Sequence, residues 1–142
     1  MYSNNQKNYN WKGNVEVNSL TKYSKDMDKL KYAEEVMKDI SNNKKDQITS
    51  NQMRIILSLF VNVRNELEKN GKEEKLKEEE LYKIKYIKVK LIYQVARVNL
   101  KEFLKKTYLN EMIDDVETRE DFYKLVDYVE ALVAYQKFYM SK

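Results

Sequence analysis

The chain contains no proline, and its only glycines are Gly13 and Gly71. Turns that need a positive or a fixed φ therefore have almost no raw material, which disfavours sheet-rich folds. Hydrophobic residues make up 42% and charged residues 35% of the 142, a mixture that suits amphipathic helices around a core rather than disorder. That length is enough for one domain and too short for two ordinary ones. The sequence thus predicts an all-α, compact bundle of four to five helices, a single domain over residues 21–142 behind a mobile polar arm over residues 1–20.

Histidine and cysteine are both absent. Their absence removes disulfides, thiolate nucleophiles, His or Cys metal sites and the familiar nucleophile–histidine dyads. Asp114 with Asp115, and Glu78 to Glu80, are the remaining candidates for acid–base work or Mg²⁺ binding. Adjacent helical positions do not share a face, so these read as solvated charges or helix-dipole partners. No glycine-rich phosphate loop is present. The expectation is a non-enzymatic protein without cofactor or metal. No apolar run approaches the ~20 residues that span a bilayer, so the chain reads as cytoplasmic with no membrane partner.

Residues 1–14 hold five asparagines and one large anchor, Trp11, which reads as resting on the bundle surface. An apolar stripe of Tyr23, Met27, Leu30, Ala33, Met37 and Ile40 predicts a first helix from Lys22 to Ile40. Thr49 as N-cap, Gln52 at N3 and the Ile48–Met53 staple predict a helix start, and Gly71 its stop. A long helix follows through Leu81, Ile84, Leu91, Val95 and Val98, with a break expected before Tyr108. Thr118 with Asp121 marks the start of a last helix, running from Arg119 to about Tyr139. That helix is apolar on most sides, so it belongs at the centre of a bundle or against another subunit.

Charge is unevenly distributed. Between Leu81 and Lys101 lie Lys83, Lys85, Lys88, Lys90, Arg97 and Lys101 without one acidic residue, although the chain's net charge is only +4. On a helix, Lys83, Lys90, Gln94, Arg97 and Lys101 fall within a sector of about 60°, along roughly 27 Å of axis. Such a basic rail either follows the phosphates of a polyanion or is a solvated face, and charge pattern alone does not choose. Tyr82, Tyr86 and Tyr93 accompany it; buried rings are the first reading and base-stacking platforms the second. Arg54 sits one turn into its helix, where a cation opposes the macrodipole; it reads equally as a phosphate ligand and as a partner of a surface carboxylate.

Three segments carry a resemblance. They are Ile48-Thr-Ser-Asn-Gln-Met-Arg54, Tyr86-Ile-Lys-Val-Lys-Leu-Ile-Tyr-Gln-Val-Ala-Arg97 and Tyr128-Val-Glu-Ala-Leu-Val-Ala-Tyr-Gln-Lys-Phe-Tyr139. Together they resemble the small subunit of the type III-A CRISPR-Cas (Csm) interference complex, over roughly residues 43–139. The resemblance implies a helical bundle without catalytic activity, present in several copies inside a ribonucleoprotein that pairs CRISPR RNA with target RNA. Its implied partners are CRISPR RNA, target RNA, other subunits of the complex and further copies of itself. It places Arg54, Lys90, Tyr93 and Arg97 near RNA; Lys83, Lys88 and Lys101 are added from charge and helix geometry as a supporting field. Ala96, where the family often has glycine, and Gln52, where it often has a basic residue, depart from the pattern. Two other readings stand beside this one: a purely structural adaptor packing on partner subunits, and a helix-turn-helix module binding duplex DNA.

Overall fold

The computed structural model describes residues 26–43, 47–94 and 100–140. Six helices are present among them: α1 (Asp26–Ser41), α2 (Ser50–Asn70), α3 (Glu78–Gln94), α4 (Leu100–Thr107), α5 (Leu109–Asp114) and α6 (Arg119–Met140). Their only β-type pairing is an isolated antiparallel bridge between Lys75 and Thr118. The all-α expectation holds. The helix count exceeds it by one because the chain between the rail and the last helix is split into two short helices.

Local chemistry sets most boundaries. Thr49 accepts from the Gln52 N–H at 3.0 Å and the Gln52 side chain accepts from the Thr49 N–H at 2.9 Å, the reciprocal box that starts α2. Gly71 ends α2 at φ 130°, a conformation that side chains with a Cβ rarely adopt. The last helix repeats the device: the Asp121 N–H donates to Thr118 Oγ1 at 3.0 Å, and Asp121 Oδ2 accepts from the Thr118 N–H at 3.1 Å. Between α4 and α5, Tyr108 takes φ 60° in the left-handed region. Its N–H still closes α4 by donating to the Leu104 carbonyl, so the helix ends and a new one starts in a different direction.

The centre of the molecule is α6, which packs most extensively on α1 and then on α2. Phe122, Leu125, Val126, Tyr128, Val129 and Leu132 are all buried, which is why this helix is apolar on most sides. From α1 come Tyr32, Ala33, Val36, Met37 and Ile40. Leu30, expected in that stripe, is instead partly exposed, while Tyr32 and Val36 replace it. The reason is polar as well as apolar: the Tyr32 and Tyr128 hydroxyls donate to the Lys106 and Thr107 carbonyls, each at 2.9 Å, satisfying the end of α4 from two sides. Residues 22–25 of the expected first helix, Tyr23 among them, lie outside the described residues.

One buried ion pair joins the far end of the bundle. Glu80 is 1% exposed and Arg119 4%. The Arg119 guanidinium donates to both Glu80 oxygens at 3.2 Å, to the Leu67 carbonyl at 3.1 Å and to the Glu73 carbonyl at 2.6 Å. Glu80 also accepts from the Lys77 N–H at 2.8 Å, capping α3. The α2 end, the connection to α3 and the α6 start are thereby tied at one point.

Candidate nucleic-acid interface

The lysines on α3 meet different fates. Glu80, Ile84, Ile87 and Leu91 form its buried face. Lys83 pairs with Glu66 of α2 at 2.9 Å; that hydrogen bond holds the Glu66 carboxyl below the usual carboxylate range and raises the Lys83 ammonium. Lys88 bonds both oxygens of Asp114, at 3.1 and 2.9 Å. Lys85 turns inward and donates to the carbonyls of Ile113, Asp114 and Val116 at 2.8, 2.8 and 3.1 Å. Burial pushes the Lys85 ammonium below the usual lysine range, against the pull of Asp114, Asp115 and Glu117. The missing carboxylates of this stretch are therefore supplied by α2 and by α5.

Lys90 differs. It is exposed, its Nζ lies 5.8 Å from the centre of the Tyr86 ring, and it forms no ion pair among the described residues. Tyr86 in turn stacks on Tyr82, ring centres 5.8 Å apart and planes inclined by 22°. Buried rings were the first reading for these tyrosines, and the structure reverses it: Tyr82 is 66% and Tyr93 80% exposed, and Tyr86 is exposed as well. With Val89 they lie opposite the core face, within a sector of about 60° along roughly 16 Å of helix. The rail is thus one edge of an exposed aromatic stripe.

Arg54 belongs to the same end of the molecule. The Glu66–Lys83 pair fixes α2 and α3 as an antiparallel hairpin joined through residues 71–77. Counting back twelve residues along α2 from Glu66 and forward along α3 from Lys83, at about 1.5 Å each, sets Arg54 level with the last turn of α3. Arg54 is exposed and has no ion pair among the described residues. Gln52 is engaged in its cap. Lys101 is exposed on α4 and lines a shallow hollow of about 260 Å³ with Ile92, Leu104, Lys105, Asn110 and Glu111. Arg97 and Ala96 lie outside the described residues. Arg54 shares only an axial level with Lys90 and Tyr93, since it lies about 120° around α2 from Glu66, which faces α3, while Lys83 and Lys88 sit in ion pairs.

Sequence reasoning missed the Glu80–Arg119 pair. The signal was available: Glu80 shares the phase of Ile84, Ile87 and Leu91, and a carboxylate on a buried stripe needs a cation. Among the described residues no helix is long and apolar enough to cross a membrane, and no three His, Cys, Asp or Glu side chains cluster to hold a metal ion.

Comparison with known proteins adds the family. The family model for Csm2 of type III-A matches residues 22–142. The chain belongs to the Csm2 type III-A family. It is 33% identical over 96 residues to the CRISPR system Cms protein Csm2 of Streptococcus thermophilus, covering 67% of this chain and 75% of that protein. It is likewise 33% identical over 96 residues to the protein of the same name from Enterococcus italicus, covering 65% and 68%. The Csm2 match takes in all six helices and so contains the whole candidate interface, with Arg54, Lys90 and Tyr93. Trp11 lies upstream of it.

Proposed function

We propose that this Csm2-family chain is a non-catalytic, RNA-binding small subunit of a type III-A CRISPR-Cas ribonucleoprotein, contacting the sugar-phosphate backbone of guide and target RNA in antiviral defence. The observation that carries the reading is Lys90: exposed, free of a carboxylate partner among the described residues, and set over Tyr86 at the edge of the exposed Tyr82, Tyr86 and Tyr93. Lys101 stands on α4 beside Ile92, off the Lys90 edge, and Arg97 joins the reading through the family resemblance alone. Lys83 and Lys88 contribute field rather than contact, since each already has a carboxylate within 3 Å. A subunit that accepts any target reads charge and shape, leaving sequence to base pairing. Its partners in this reading are CRISPR RNA, target RNA, the other subunits and further copies of itself, in the cytoplasm.

The test is RNA binding by the assembled complex across a salt series. Arg54→Ala, Lys90→Ala and Arg97→Ala each weaken binding about equally for unrelated targets and reduce the log–log salt slope by roughly one. Lys88→Ala leaves the slope close to wild type. Loss of affinity for some target sequences but not others would sink the backbone-contact reading.

A structural adaptor is the second reading, favoured by the exposed Tyr82, Tyr86, Val89 and Tyr93 and by Phe138 near the end of α6. RNA affinity that ignores all three charge substitutions, together with loss of the chain from complexes carrying Tyr82→Ser and Val89→Ser, supports it. The duplex-DNA reading is the weakest, because α2 buries Met53, Ile56, Phe60, Val63 and Leu67 as a core helix.

A further inference from the structure

α2 has two carboxylates, and only one of them faces α3. Glu68 lines a cleft beside Arg119, whereas Glu66 reaches across the seam between the helices and accepts from Lys83 at 2.9 Å. Two further lysines bear on Glu66. Lys69 follows it by three residues on α2, and Lys90 follows Lys83 by seven on α3, within about 20° of the same phase. Because the two helices run antiparallel, Lys69 lies on one side of Glu66 and Lys90 on the other, so the three lysines line about 15 Å of seam. The electrostatics agree: the Glu66 carboxyl is held below the usual carboxylate range first by Lys83 and then by Lys69 and Lys90.

Lys69 and Lys90 are exposed and form no ion pair among the described residues. The other carboxylate close by is Glu79, one turn before Lys83. It raises the Lys83 ammonium after Glu66 does, and it too forms no ion pair among the described residues. Three lysines along one seam, with a carboxylate hydrogen-bonded between them, have the form of an anion site that already holds an anion. A phosphate accepts the same charge-assisted bonds. Exchange is easy here: with side chains 46% and 52% exposed, Lys83 and Glu66 form a surface pair of the kind that contributes little to stability. Glu66 has solvent to turn to.

We propose that the α2–α3 seam is a subsite for the phosphates of an RNA backbone, built from Lys69, Lys83 and Lys90, in which Glu66 stands where a phosphate binds. This subsite deepens the RNA-binding reading and rests on it. Lys69 becomes a contact, and Glu66 becomes the group that withholds Lys83. RNA gains Lys83 only by displacing Glu66, so in the wild type Lys83 adds almost nothing net, and the subunit's hold on RNA is weaker than its lysines alone would make it.

Binding of two unrelated target RNAs by the assembled complex, followed across a salt series, tests the subsite. Lys69→Ala should weaken binding and flatten the log–log slope by roughly one, as expected for Lys90→Ala. Glu79→Gln, made so that Lys83 has no second carboxylate to turn to, should stay near wild type. Adding Glu66→Gln to it should tighten binding several-fold at low salt and steepen the slope by roughly one, and adding Lys83→Ala as well should cancel that gain. Removing two equally exposed, paired charges from α6, by Glu120→Gln with Glu130→Gln, should leave binding near wild type. An equal gain from the α6 variant, or a gain that survives Lys83→Ala, would reduce Glu66 to a share of the general field and overturn the subsite. So would the absence of any gain with Glu66→Gln, or a Lys69→Ala variant indistinguishable from wild type. If Lys90→Ala still weakens binding in those cases, the RNA-binding reading stands without the subsite; if Lys69→Ala and Lys90→Ala are both silent, that reading falls with it.

Discussion

Lysines on a single helix show how little of a charge pattern survives into a surface. Lys85 and Lys88 reach α5, Lys83 reaches α2, and Lys90 remains over a tyrosine ring. The run itself was legible because it needs only the residue list. The pairing was not, because Asp114 stands 26 residues away from Lys88 and meets it only once α5 has docked. A separation of 39 residues from Glu80 hid Arg119, which along the chain looks like an ordinary first residue of a helix. Its expected contribution is large: Arg119→Met leaves Glu80 buried without its cation and should destabilise the fold by about 3–5 kcal/mol. Urea denaturation of Arg119→Met, Glu80→Leu and the double variant measures this. The double variant should recover much of the loss, and additive losses would show that the pair is not the unit of stabilisation.

Helix boundaries were the most readable feature, and the reason is range. A capping box is settled within four residues, so Thr49 with Gln52 and Thr118 with Asp121 announce themselves before any tertiary contact forms. Gly71 is similar, since one residue type identifies a positive φ. An added Cβ there meets nothing within 4 Å, so the cost of Gly71→Ala is purely conformational, about 1 kcal/mol. A drop in melting temperature with unchanged RNA binding by the complex is the expected result; no drop would mean that the connection after α2 relaxes to another backbone shape. The phase of α1 was less readable. Leu30 and Tyr32 both satisfy an apolar stripe, and the choice falls to Tyr32 because its hydroxyl finds the Lys106 carbonyl on another helix.

For the molecule as a whole, acid should act through the Glu80 junction. Burial works against the Glu80 carboxylate, but the Lys77 N–H and the Arg119 guanidinium outweigh it and hold its pKa below the ordinary 4.5. A carboxyl depressed on folding contributes stability that is fully present above its unfolded value and is lost as the pH falls through 4.5 towards the folded value. Urea midpoints should therefore decline below that pH in the wild type and decline less in Glu80→Gln. Parallel declines would assign acid sensitivity to other carboxylates. All-α architecture was visible in the absence of proline and the near absence of glycine, whereas the orientation of the tyrosine stripe was not, since outward and inward rings have identical spacing.

Lys85 addresses α5 only through main-chain oxygens, those of residues 113, 114 and 116. Such a join is indifferent to which side chains those residues carry and strict about how many of them there are. Replacing any one side chain leaves the three acceptors where they were, while inserting a single residue between Tyr108 and Val116 rotates them away from the ammonium by about a quarter of a turn. Homologous chains that share this join are therefore bound to agree in length across that stretch, while its letters answer to the buried Leu109, Met112 and Ile113 and to the Lys88–Asp114 pair.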